Sequence, residues 1–177
     1  MRALVLGTLL VAGLAGCGGS DSDEDASPRS TAPPAETRPA SNEFVQRLDA
    51  LCKDANPQLA EINAALTKAR DAARAGQVSA EKTFGTFATL LRRASATTKQ
   101  FAARLRAIRP PADERAFYDA LVASLDQGLV NLGRQVRAAA AQDAATLRDL
   151  SIAGSVASAK QKGLIEGHGG FRFCGQG

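Results

Sequence analysis

The sequence predicts an all-α protein, an antiparallel four-helix bundle with up-down-up-down topology. Apolar residues after Ser41 recur at intervals of three and four, which is the spacing of one helix face. No stretch has the alternating, β-branched pattern of a strand. Glycines, prolines and good cap residues divide the periodic region into four segments. Residues 41–177 are enough for one domain with a single core.

The first helix is predicted to begin near Ser41, to run to about Ala75 and to end at Gly76. Pro57 interrupts it, and because Asn56 and Pro57 are also a favourable cap and first-turn pair, the helix either kinks or restarts there. The apolar register continues through the proline, so we expect a kink. The inward face comprises Phe44, Leu48, Leu51, Cys52, Leu59, Ile62 and Leu66.

The second helix is predicted to start after Ser79 and to end at Arg109-Pro110-Pro111. Its apolar positions alternate between spacings of three and four, which predicts packing against neighbouring helices at a shallow angle. These positions are Phe84, Phe87, Leu91, Ala94, Thr98, Phe101, Leu105 and Ile108.

The third helix opens near Ala112-Asp113 and thins into "AAAAQD". Its predicted inward residues are Phe117, Leu121, Leu125, Leu129, Leu132 and Val136. The fourth helix restarts at Asp143 and is expected to be the short one, fading near Lys162-Gly163. It is alanine-rich, and its predicted apolar face is Leu147, Leu150, Ile152 and Val156.

The amino terminus has the features of a secretory signal. Met1-Arg2 is basic, the run from Ala3 to Leu14 is uncharged and apolar, and small residues precede Cys17. The run is shorter than the roughly 20 apolar residues that span a membrane. We therefore expect residues 1–16 to be a signal peptide that is removed.

The motif "LAGC", Leu14 to Cys17, resembles the lipobox of bacterial lipoproteins. The resemblance implies that a lipid is joined to the Cys17 thiol, that cleavage occurs just before this residue, and that the new amino terminus is acylated, with chains such as palmitate. Several acyl chains give the stable membrane attachment that one chain does not. The alternative is an ordinary cleaved signal with an incidental cysteine.

Residues 17–40 are rich in glycine, serine, proline and acids, and we expect them to be a disordered tether. The full chain has a net charge of +4, but the tether contains five acids and two arginines, so the domain itself is more basic. The domain has one Tyr and no Trp, which does not fit a nucleic-acid-binding protein with stacking aromatics. The expected location is the extracytoplasmic face of the cell membrane.

Cys52 and Cys174 are expected to form a disulfide, since an exported chain meets an oxidising environment. In the predicted topology, the tail returns to the level of Cys52. Two free thiols or a metal-binding pair are the alternatives. The tail would also cover one end of the bundle with its apolar residues, Leu164, Ile165, Phe171 and Phe173.

Taken together, the lipobox, the acidic linker, "FVQRLDALCKDAN", "LRAIRPPAD" and the final glycine-aromatic-cysteine tail resemble those of small helical lipoproteins of high-GC Gram-positive bacteria. The resemblance implies a helical domain with paired cysteines on the outer face of the membrane. It implies no catalytic residues.

Catalytic and cofactor motifs are lacking in the sequence. The only histidine is His168, expected to be a lone surface residue in the tail, and the only methionine is the initiator. Neither a haem nor a zinc ligand set can be assembled, so no cofactor or metal is expected. No base is available for a nucleophile. Asp113-Glu114 is explained by the preference of acids for a first helical turn, and we expect no enzymatic activity.

The candidate contact surface is a basic stripe on the second helix. Arg92, Lys99 and Arg106 are seven apart and Arg93 lies beside them. Such a stripe could bind lipid headgroups, a cell-wall polyanion or an acidic protein, or it could simply form salt bridges with neighbouring helices. The leading hypothesis is a lipoprotein that binds or organises another envelope component. The alternative is a carrier that holds a small apolar or anionic ligand between the helices.

Overall fold

A computed structural model of the chain describes residues 39–175, with side chains from Asn42 onward. The predicted four-helix bundle is confirmed. The elements are α1 (Pro39–Arg74), α2 (Ala80–Arg106), a short 3-10 turn (Ala112–Glu114), α3 (Arg115–Ala140) and α4 (Ala144–His168). The predicted signal peptide, Cys17 and most of the tether lie outside the described residues. Within residues 39–175, no helix combines the length and the hydropathy needed to cross a membrane.

Local cap chemistry ends and starts the helices where the sequence predicts. Gly76 closes α1 with φ of 68°, a conformation that glycine adopts without strain. The Ser79 hydroxyl accepts a hydrogen bond from the Lys82 amide at 3.3 Å and caps α2. Asp143 accepts from the Thr146 amide at 3.0 Å and caps α4. Hydrogen bonds from the Thr146 side chain and backbone lower the pKa of Asp143.

The helices pack in sequence order. α1 packs on α2, α2 on α3 and α3 on α4, whereas the backbones of α1 and α4 are not closely packed against each other. Short connections between antiparallel neighbours favour this order. The seam between the first and last helices is therefore the open side of the bundle.

The core is divided into two clusters, one at each end of the bundle. One contains Leu48 and Leu105 with the end of α4 and the tail, and the other contains Phe87 and Leu147 with the opposite helix ends. Leu105 and Leu147 are completely buried. The middle of the bundle belongs to neither cluster, and this division positions the candidate site.

Two expectations about α4 are wrong. The helix is not short: it has 25 residues against 26 in α3 and continues past Gly163 to His168. Burial of Ile165 in the core explains the extension, since tertiary packing outweighs the low helix propensity of glycine. Ile152 and Val156 are not on the inward face but 54% and 67% exposed.

The structure resolves one alternative in α1. The helix continues through Pro57 and does not restart at Asn56. The unbroken apolar register of the sequence predicts this continuity, because Leu48 and Ile62, on either side of the proline, are both buried.

Candidate functional site

The inward face of α4 is apolar at its ends and polar in its middle. The residues on this face are spaced by four and three, which keeps them on one side of a helix. They are Leu147, Ser151, Gly154, Ser158, Gln161 and Ile165. Since serine and glycine cannot fill the space that leucine fills, the two core clusters do not meet along α4.

A cleft of about 260 Å³ occupies this position between α1 and α4, with residues of α2 and α3 forming its floor. Its volume is slightly below the lower end of typical small-molecule pockets, about 300 Å³. The floor includes Leu91, Phe101, Leu125 and Leu132, and polar side chains along the cleft include Asn63, Thr98, Asn131, Gln135, Ser155 and Ser158. A larger depression of about 950 Å³ beside Lys82 is more open to solvent.

Two amide side chains of α3 hold the α4 backbone at one end of the cleft. Asn131 Nδ2 donates to the Leu150 carbonyl at 3.0 Å, and Gln135 Nε2 donates to the same oxygen at 3.4 Å. Gln135 is only 7% exposed. Among the described residues, Asn131 Oδ1 is buried without a hydrogen-bond donor, and no donor contacts Gln135 Oε1. The cleft therefore contains amide oxygens that can accept hydrogen bonds.

Gly154 permits these amide contacts. A Cβ at this position would lie 2.9 Å from Asn131 Nδ2 and 3.3 Å from Gln135 Nε2, closer than van der Waals contact allows. Gly85, on α2, has open space around the corresponding position. The glycine of α4 thus has a packing role, while that of α2 has none.

The cleft lining contains no aspartate or glutamate, and its one charged side chain is Lys162. Lys162 Nζ lies 3.6 Å from Glu166 Oε1, and the two side chains are 35% and 60% exposed. An exposed pair one helical turn apart contributes at most a few tenths of a kcal/mol, about 0.3–0.5. Lys162 is therefore only weakly held by its carboxylate.

The C-terminal tail is bound to α1 by Asp49, a residue that the sequence analysis did not single out. Its Oδ1 accepts three backbone hydrogen bonds, from the amides of Arg172, Phe173 and Cys174, at 3.0, 2.6 and 3.0 Å. Asp49 is only 8% exposed. A buried carboxylate requires such donors, because an unpaired buried charge is strongly unfavourable.

The predicted disulfide is present. Cys52 and Cys174 are joined across 122 residues, a separation that gives a stabilisation of about 4–5 kcal/mol in the chain-entropy model. Asn56 Nδ2 donates to the Phe173 carbonyl at 2.9 Å beside the disulfide. Ile165 is buried as expected, but Phe173 is 38% exposed and lies beneath Lys53 Nζ, 5.4 Å from its ring centroid.

His168 is not the lone surface residue that the sequence suggested. It ends α4 with its ring 4.2 Å from that of Phe117 and 5.4 Å from that of Phe171, measured between centroids. Its Nε2 lies 2.6 Å from Glu114 Oε2, and Nδ1 lies 3.0 Å from the Gly169 carbonyl. Because that carbonyl only accepts, Nδ1 carries a proton. The pair fastens the end of α4 to the start of α3.

The predicted basic stripe is exposed, but its residues have different environments. Arg93 pairs with Glu61 of α1 at 3.1 Å, and Arg106 forms an ion pair with Asp126 of α3. Arg92 and Lys99 are exposed and form no ion pair within residues 42–175. Part of the stripe thus joins helices, as the salt-bridge alternative holds, and part is available at the surface.

Within the described residues, no group of three or more His, Cys, Asp or Glu side chains could hold a metal ion. Comparisons with protein-family models, with curated proteins and with solved structures find no match for this chain. The arrangement of the side chains alone therefore has to support a function.

Sequence reasoning anticipated a space beside α4, but missed the residues that shape it. The available signal was the row of serine and glycine in register with Leu147 and Ile165. Asp49 had no comparable signal, because its partners lie 123 to 125 residues away.

Asp49→Ala is expected to destabilise the fold by about 2–4 kcal/mol, because it removes a charged acceptor of three amide hydrogen bonds. Asp54→Ala is the control. Asp54 pairs with Arg104 at 2.7 Å with both side chains 56% exposed, and such a pair contributes about 0–1 kcal/mol. Chemical denaturation with the disulfide intact measures both; equal losses would contradict the assigned role of Asp49.

Gly85→Ala is expected to stabilise the fold by about 0.5–1 kcal/mol through helix propensity. Gly154→Ala should give no such gain, because its methyl group displaces the Asn131 and Gln135 amides, with a loss of about 1–2 kcal/mol relative to Gly85→Ala. Thermal and urea unfolding of the two variants test this difference. A comparable gain at Gly154 would show that the amide contacts are dispensable.

Proposed function

We propose that this protein is a non-enzymatic, lipid-anchored binding protein of the cell envelope, which holds a small ligand in the cleft between α1 and α4. The acyl chains of Cys17 attach it to the extracytoplasmic face of the cell membrane, and residues 17–40 form the tether. The sequence pattern from Leu14 to Cys17 supports the anchoring. The observation that supports ligand binding is the cleft itself.

A bundle selected only for stability would fill its middle with apolar side chains, since an unfilled interior weakens packing. Here Ser151, 2% exposed, and Gln135, 7% exposed, occupy core positions instead. Buried polar groups are unfavourable unless they are hydrogen-bonded. The amide oxygens at the cleft suit a ligand that offers donors, although ordered water could also satisfy them.

The first test is native mass spectrometry of the full-length mature protein purified from membranes of its own host. We expect a bound small molecule in the wild type and none in Ser158→Leu, because the leucine fills the cleft that Ser158 lines. Ala159→Leu is the matched control, since Ala159 is the exposed neighbour and does not line the cleft.

An absent ligand in the wild type, or the same ligand in Ser158→Leu, would contradict binding in the cleft. Mass measurement of the denatured samples tests the anchor separately. Acylation adds mass that persists after denaturation, whereas a ligand in the cleft is released. An unmodified Cys17 would remove the anchoring half of the proposal.

A second candidate function is contact between the outer face of α2 and an anionic envelope component, either a polyanion or a protein. The observation that favours it is the exposure of Arg92 and Lys99 without ion-pair partners among residues 42–175. Each cation near an anionic surface contributes about 1 kcal/mol. Arg93 and Arg106 belong to the same surface but already have carboxylate partners.

Reversal of both free cations in Arg92→Glu/Lys99→Glu is expected to weaken salt-sensitive binding to envelope fractions by about 2 kcal/mol or more. Cosedimentation at low and high salt measures this loss. The matched control, Arg134→Glu/Lys160→Glu, makes the same charge change on α3 and α4, where both residues are exposed. Unchanged binding in the α2 variant, or an equal loss in the control, rules out the stripe.

A further inference from the structure

The two ends of the cleft differ in chemistry, and the difference indicates what the ligand looks like. One end has Lys162, the single charged residue of a lining that contains no acid. Its partner Glu166 is 60% exposed and 3.6 Å away, so an anion can take its place with little loss. The positive charge of the chain as a whole, +4, also favours anions.

The other end has the amide oxygens of Asn131 and Gln135. Both side chains use their nitrogens on the Leu150 carbonyl, which leaves the oxygens as acceptors. An acceptor binds a hydroxyl or N–H group and repels an anion. This end therefore selects a hydrogen-bond donor.

Between the ends, the floor of the cleft is apolar, with Leu91, Phe101 and Leu125 among its residues. The amides contact α4 near Gly154. From Gly154 to Lys162 the helix rises about 12 Å, at about 1.5 Å per residue. A linear chain of this length joins the two polar ends across a surface that favours hydrocarbon.

We infer that the ligand is a linear amphiphile with an anionic group at one end, an apolar chain, and a hydroxyl or amide donor at the other. The inference rests on the proposed function, since it names the ligand class for the same cleft. The anion lies at Lys162 and the donor lies at Asn131 and Gln135. The apolar chain covers the leucine and phenylalanine side chains of the floor.

The test compares three probes of equal chain length: ω-hydroxydecanoate, decanoate, which lacks the donor, and decanediol, which lacks the anion. Titration calorimetry below micelle-forming concentrations uses the mature chain with Cys17→Ser, which retains every described residue. We expect ω-hydroxydecanoate to bind about threefold to tenfold more tightly than either of the other probes.

Lys162→Met should lower the affinity for ω-hydroxydecanoate by a similar factor, about threefold to tenfold, and leave decanediol unaffected. Lys160→Met is the control, since Lys160 is exposed on α4 and does not line the cleft. Equal binding of decanoate or decanediol, or an unchanged affinity in Lys162→Met, overturns the inference.

The proposed function fails separately. If Ser158→Leu binds all probes as the wild type does and the purified protein carries no ligand, the cleft is not a binding site. If the purified protein carries a ligand that Ser158→Leu loses, but the probes show no preference for the anion with a distal donor, the cleft binds a different class of molecule and only the inference is wrong.

Discussion

The contact between α3 and α4 through Leu150 determines much of this structure. Asn131 and Gln135 donate to one backbone carbonyl, and Gly154 leaves the space that their amides occupy. This polar contact takes the place of leucine packing in the middle of the bundle. Because α4 is held by α3 rather than by α1, the seam between the first and last helices stays open and a cleft remains there.

The chain compensates for that open seam at one end of the bundle. The disulfide, the three amide hydrogen bonds to Asp49 and the contact of His168 with Glu114 all lie near the tail. Together they fasten the last helix and the tail to α1 and to the start of α3. The molecule thus combines weak packing along one side with strong long-range restraints, which is compatible with a binding role and with stability outside the cell.

The features predictable from the sequence are those with local causes. Gly76, Ser79 and Asp143 act on the nearest turn of backbone, so helix boundaries follow from them directly. The cysteine pair followed from topology and environment. The orientation of α4 was not predictable from hydropathy, because Ile152 and Val156 have the stronger apolar signal and yet face solvent. Its register is set by Leu147 and Ile165, at the two ends of the helix, and by amides of a different helix.

The separation of the core into two clusters has a dynamic consequence. The cluster around Leu48 and Leu105 includes Cys174 and is cross-linked, whereas the cluster around Phe87 and Leu147 is held together by side-chain packing. Partial opening of the native state requires less free energy where fewer restraints must be broken. The bundle therefore behaves as a hinged clasp, whose free end can separate while the covalent end keeps the four helices in register.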